Sequence, residues 1–146
     1  MEVSYYEMSY DDIPQAALLE RLNFPQPWSE AGMEKYMDAG STLFVTAKHK
    51  GRVLGYGALL MALDESDLIS LVVDEPYRNM GIAREILDIL YGLALDNGII
   101  KIHLEVRKSN KAAIWLYESE GFKKDGERPG FYERPREDAL LYTKEL

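Results

Sequence analysis

Between residues 67 and 106 the apolar pattern changes period twice, and this restricts the fold more than any other feature of the chain. Asp67 to Val73 alternates as a strand. Ile82, Ile86, Leu87, Leu90, Leu93 and Ala94 recur at helical spacing, and Asn97-Gly98 supplies a stop. Ile100, Ile102, Leu104 and Val106 then alternate as a second strand. Strand, helix and strand in this order form a βαβ unit, whose crossover requires the two strands to be parallel. Upstream, Thr42 to Lys48 and Arg52 to Ala62 read as strands. The turn His49-Lys50-Gly51 joins them, and the acidic turn Asp64 to Asp67 leads into the next strand. That part is an antiparallel meander, so the expected fold is α/β with a mixed sheet.

The flanks add elements to the same sheet. Residues 2–8 alternate weakly and suit an edge strand. Asp11 to Leu22 reads as a helix with Asp11 or Asp12 as cap and Pro14 in its first turn. Phe24-Pro25-Gln26-Pro27-Trp28 cannot continue it. Ser29 suits the cap of a short helix to about Asp38, ended near Gly40. Ser109 or Asn110 caps a helix that runs to Glu120 and stops at Gly121, and Phe122 to Leu146 holds two strands around the loop Arg128 to Pro135. With 146 residues and no repeat, one domain over 1–146 is expected.

Composition narrows the function classes. The chain has no cysteine, which excludes disulfides, thiolate metal sites and a cysteine nucleophile. Its 17 Lys and Arg against 25 Asp and Glu leave a net charge of −8, the wrong sign for broad nucleic-acid binding. The first residues lack the basic and apolar regions of a signal peptide. The longest apolar stretch, Ala58 to Leu63, is too short for a membrane span. A cytoplasmic protein with neither nucleic acid nor membrane as partner is expected. His49 and His103 have no second ligand at metal spacing, so no metal is expected.

Where strand gives way to helix, the loop reads Val73-Asp-Glu-Pro-Tyr-Arg78-Asn79-Met80-Gly81-Ile82-Ala83-Arg84. Gly81 and Ala83 lack bulk where the helix begins, so backbone N–H groups can approach a ligand. A helix start offers unpaired donors and the positive end of the dipole, which suits phosphate. Arg78 and Arg84 add positive charge. No Gly-Lys-Ser/Thr follows, and the three-glycine dinucleotide fingerprint is absent. A plain strand-to-helix turn fits the spacing equally well.

The pattern Arg78-x-x-Gly81-x-Ala83 resembles the pyrophosphate-binding signature of the GNAT superfamily of N-acetyltransferases, with Ala in place of the commoner last Gly. Leu71 to Arg78 resembles that superfamily's fourth strand and loop. Leu104-Glu105-Val106-Arg107-Lys108-Ser109-Asn110 through Tyr117 to Phe122 resembles the fifth strand and the helix after it. Pro27-Trp28-Ser29 and Glu137-Asp138-Ala139 resemble its ribosomal-protein-alanine (RimI) branch. The resemblance covers nearly the whole chain. It implies a mixed, mostly antiparallel sheet of roughly six to seven strands flanked by about four helices. It also implies acetyl-coenzyme A as co-substrate and a protein or peptide N-terminus as acceptor, with a basic ribosomal protein the candidate.

Acetyl transfer from a thioester needs a neutral amine and a proton for the departing thiolate. At pH 7 an α-amine costs about 1.4 kcal/mol to deprotonate and a lysine about 4.6. Glu105 points away from Leu104 and Val106, where it would be desolvated beside the sheet or would pair with Lys101, His103 or Arg107; the resemblance makes it the base. Tyr117 falls among Ala113 and Leu116 as a core tyrosine would, and the resemblance makes it the acid. Asn110 is a helix cap by position and a cofactor contact by resemblance. The same likeness assigns Leu71, Val72 and Val73, through their backbones, and Arg78, Asn79, Met80, Gly81, Ile82, Ala83 and Arg84 to the cofactor. Tyr132 stands in the late hairpin that borders the acceptor groove in relatives. Trp28 reads as a staple against the core. Asp64, Glu65, Asp67, Glu133, Glu137 and Asp138 offer negative charge to a basic acceptor. Acetylation of a small amine or lysine, and a non-catalytic acyl-coenzyme A sensor, are the alternative readings.

Overall fold

The structure, a computed structural model, describes residues 1–146. Its strands are β1 (Ser4–Glu7), β2 (Thr42–His49), β3 (Arg52–Ala62), β4 (Glu65–Val73), β5 (Lys101–Arg107), β6 (Lys123–Tyr132) and β7 (Glu137–Glu145). The helices are α1 (Ile13–Asn23), α2 (Glu30–Ala39), α3 (Ile82–Asp96) and α4 (Lys111–Ser119). The seven strands lie in one sheet in the order β1-β2-β3-β4-β5-β7-β6. Only β4 and β5 run parallel, as the βαβ crossover through α3 demands.

Alternation along the strands feeds two cores. Val45, Leu54, Leu59, Leu68, Val73, Ile102, Leu104 and Val106 turn to one face, under α3. Phe44, Val53, Tyr56, Ala58 and Val72 turn to the other, under α1 and α2. Gly57 lets α3 settle close to the sheet, because a Cβ there would stand 2.8 Å from the Ile86 Cγ2 methyl.

Local signals explain most boundaries. Ser29 accepts the Gly32 N–H at 3.0 Å and starts α2, and Gly40 ends it with φ 77°. Asn110 accepts the Ala113 N–H at 3.2 Å and starts α4, which decides between the two expected caps. Three expectations need correction. Asp12 does not cap α1 in the ordinary way; it is buried, accepts the Ser9 N–H at 3.0 Å and pairs with Lys48. The acidic turn is shorter than expected, because β4 already starts at Glu65 and Leu63-Asp64 suffices for a tight hairpin. Ile100 is not a core residue but half exposed, and Ile99 takes the buried place as the chain leaves α3.

Candidate functional site

The site arises where the sheet comes apart. The β4–β5 ladder holds only from Glu65 to Asp67, against Lys101 to His103. Beyond that point β5 stays paired with β7 to its end, while β4 stays paired with β3. A bulge in β4 at Ile69, between the pairs Leu59–Leu68 and Ala58–Ser70, turns the strand as it diverges. The β5-facing edge of residues 68–73 is therefore left without a ladder partner. A groove of about 640 Å³ opens along it.

Leu71, Val72, Val73, Arg78, Asn79, Gly81, Ile82, Ala83, Arg84 and Asn110 all line this groove, as does Tyr117. Met80 does not; its side chain is exposed to solvent. Leu22, Asn23 and Phe24 at the end of α1, Tyr77, and Trp115 on α4 also line it and were missed in the sequence. An aromatic at a helix end next to two prolines, and a tryptophan on the exposed face of a short helix, were the available signals.

The loop into α3 has the geometry that anion binding requires. Asn79 and Gly81 take left-handed backbone, φ 63° and 82°, and the first helical bond runs from the Glu85 N–H to the Gly81 carbonyl. The amides before that bond have no helical acceptor. A Cβ at Gly81 would meet no atom within 4 Å, so the space over these amides is open to a ligand. These residues fit a pyrophosphate. The two arginines are less free than the sequence suggested. Arg78 donates from Nε to the Val73 carbonyl at 3.0 Å and from Nη2 to Asn23 Oδ1, which braces the loop against α1. Arg84 donates to Glu120 Oε2 at 2.6 Å and to Ser119 Oγ at 2.8 Å, and lies over the Trp115 ring. Its charge is offset within the chain.

Glu105 and Tyr117 lie on opposite faces of the sheet. Tyr117 is half buried against the α3 core, with its ring edge-on to Phe122 at 5.6 Å. Burial first, and then the neighbouring Tyr132, push its hydroxyl well above the ordinary tyrosine value. Glu105 alternates away from Leu104 and Val106 and faces the other side, where it is exposed. The desolvation expected for it is absent, because α1 and α2 cover β2 to β4 and leave that face of β5 open. The gap between β4 and β5 leaves the two faces without a ladder between them there, and Glu105 is not among the residues that line the groove. Tyr132 feels Glu105: burial first, then that carboxylate, push its hydroxyl up to about 12, and Arg107 opposes the shift. Arg107 lies over the Tyr132 ring at 4.4 Å and donates to the Glu133 and Pro135 carbonyls at 3.1 and 2.9 Å. It thereby holds the β6–β7 loop beside Glu105.

The remaining candidates divide. Trp28 stacks on Phe44 at 5.6 Å and meets Tyr36 edge-on at 4.9 Å, which is the staple expected of it. His103 does have a carboxylate neighbour, supplied by the neighbouring strand: Nε2 lies 2.5 Å from Glu65 and Nδ1 2.8 Å from Thr143. Of the six acidic residues offered to a basic acceptor, Glu65 is taken by His103. Glu137 is taken by Arg107 and the Ser109 N–H, and Asp138 by the Gly130 N–H.

Comparison with known proteins agrees with this geometry. Residues 13–122 match the model of the acetyltransferase (GNAT) family. The chain is 33% identical over 137 residues to the [ribosomal protein bS18]-alanine N-acetyltransferase of Escherichia coli strain K12, covering 89% of this chain and 88% of that protein. The enzyme of the same name from Salmonella typhimurium is 33% identical over 141 residues, covering 92% and 91%. Among solved structures, the ribosomal-protein-S18-alanine N-acetyltransferase from Escherichia coli superposes with a TM-score of 0.87 at 29% identity, over 99% of this chain and 94% of that one. The NatC complex bound to Gag peptide and CoA shares the fold, with a TM-score of 0.90 at 20% identity, over 100% of this chain and 99% of that chain. By sequence and fold, the chain belongs to the acetyltransferase (GNAT) family and is an N-acetyltransferase.

Proposed function

We propose that the protein transfers an acetyl group from acetyl-coenzyme A to the α-amine of a protein N-terminus, and that the acceptor is the N-terminal alanine of a small-subunit ribosomal protein. One observation carries the reading. The β4–β5 ladder stops after Asp67, with a phenol in the groove that opens there and a carboxylate on the opposite face of β5.

Acetyl-coenzyme A supplies an activated thioester and takes its electrons away as a thiolate. The residues around the groove do the rest. The amides at the start of α3 and the open space at Gly81 hold the pyrophosphate. The unpaired edge of Leu71 to Val73 receives the extended arm of the cofactor as a further strand would be received. The acceptor amine enters from the face where Glu105 stands, and Glu105 takes its proton. Tyr117, kept protonated by burial, holds a hydrogen at the far side for the leaving sulfur. Arg107 and Tyr132 form the wall on the acceptor side.

Mass spectrometry tests the assignment. A short basic peptide with a free N-terminal alanine is incubated with the enzyme and acetyl-coenzyme A beside its N-blocked, lysine-containing twin. Mass gain on the α-amine of the first and not on the second is expected. Faster modification of the lysine peptide, or of small amines, would overturn the α-amine assignment; cofactor binding without transfer to any amine would point to a sensor.

A further inference from the structure

Glu20 is the buried glutamate of the fold, and nothing in the reaction above uses it. It lies in α1 with 5% of its surface exposed. Oε2 accepts the Tyr56 hydroxyl at 2.8 Å and the Ser70 hydroxyl at 2.7 Å, and Oε1 accepts the Trp28 backbone N–H at 3.1 Å. No lysine or arginine pairs with it, so three neutral donors offset the cost of burying the charge. An apolar side chain would fill the same space but would leave the buried Tyr56 and Ser70 hydroxyls without this acceptor. Packing alone therefore does not account for a carboxylate here.

The positions of the three donors do. Ser70 directly follows the bulge at Ile69 and directly precedes Leu71 to Val73, the bank of the groove supplied by the sheet. Trp28 ends the segment after Phe24, which also lines the groove, and stacks on Phe44. Tyr56 anchors the carboxylate to β3, and burial beside Glu20 keeps its hydroxyl a donor at any ordinary pH. We propose that Glu20 is a positioning residue that ties the β4 bulge to the loop before α2, so that two stretches of the groove's lining, the end of α1 with Phe24 and the strand edge Leu71 to Val73, hold a fixed separation while the acyl group is transferred. This rests on the acetyltransferase reading of the groove, and the coupling of the two segments can be read without turnover.

Three variants and two readouts test it. Glu20→Leu keeps the helix length and removes both acceptor oxygens, and with them all three hydrogen bonds; Ser70→Ala removes one donor and leaves α1 untouched; the third variant combines them. Amide hydrogen exchange of residues 24–28 and 68–73 should speed up together in Glu20→Leu and ahead of the other strands, with the melting temperature lowered by the stranded Tyr56 and Ser70 hydroxyls. Peptide kcat should fall about 10–100-fold, as expected when a reacting group loses its placement, while coenzyme A affinity stays within about threefold. Ser70→Ala should act in the same direction, and the double variant should be no worse than Glu20→Leu, as for residues acting through one link. Unchanged exchange in both segments of Ser70→Ala would overturn the proposal, as would Glu20→Leu with parental exchange and kcat. If Glu20→Leu fails to fold, Ser70→Ala decides. A parent enzyme without transfer activity would refute the proposed reaction, while the exchange measurement would still decide the role of Glu20.

Discussion

At the scale of single residues, the proposed reaction divides its chemistry between two side chains in unlike surroundings. Glu105 stands on an open sheet face and Tyr117 in a half-buried place under α3. Glu105→Gln keeps the shape and removes the basicity, and Tyr117→Phe removes only a hydroxyl. Each should lower kcat about 10–10³-fold with the fold intact, the usual span for one acid or base contribution. Steady-state kinetics from pH 6 to 9 checks this; a fully active Glu105→Gln enzyme across that range would assign the base elsewhere. Because Glu105 is exposed, water can substitute for it in part, so the Gln variant should recover activity as pH rises and the amine loses its proton unaided.

At the scale of elements, the proposed anion site belongs to the start of α3. Gly81 is the residue before the helix, with φ 82° and open space where a side chain would stand. Gly81→Asp puts a carboxylate into that space and strains the backbone by about 1–2 kcal/mol. Gly81→Ala imposes the same strain without the charge. Coenzyme A should raise the melting temperature of the parent and of Gly81→Ala, and should leave Gly81→Asp unshifted. Thermal unfolding with and without coenzyme A separates the two effects. An equal shift in all three would remove the pyrophosphate from this loop.

Two properties belong to the whole molecule. Tyr56, Tyr91, Tyr117, Tyr132 and Tyr142 all have hydroxyls pushed above the ordinary value, mainly by burial. A group whose value is raised in the folded state contributes stability below its unfolded value, and that contribution is lost as pH rises toward the folded one. Stability should therefore decline from about pH 10 upward, with phenolate absorbance and far-ultraviolet circular dichroism changing in one transition. A net charge of −8 also favours a basic acceptor at a distance. Moving from about 0.01 M to about 0.15 M salt shortens the screening length from about 30 to about 8 Å, and kcat/KM on a basic peptide should drop while that on a neutral one holds. The effect should be modest, because Glu65, Glu137 and Asp138 are already engaged within the chain.

Much of this architecture is written in local pattern. Period alone predicts the βαβ centre, because a strand buries alternate residues and a helix every third or fourth. Ser29, Gly40 and Asn110 mark helix ends, because the cap is satisfied within a few residues of chain. Arg78-x-x-Gly81-x-Ala83 marks the anion loop for the same reason: one turn of backbone builds it. The side-chain partnerships were illegible. Glu65 meets His103, Arg84 meets Glu120 and Glu20 meets Ser70 across 36 to 50 residues of sequence. No local rule reports which residues strand pairing and helix docking will bring together. The exposure of Glu105 is of the same kind, since alternation says only which way it points and not whether a helix covers that face. The gap between β4 and β5 exists because one short parallel ladder stops after Asp67 while its two strands keep their other partners. Where a ladder stops depends on the competition among all seven strands for twist and register, and that competition is settled only in the assembled sheet.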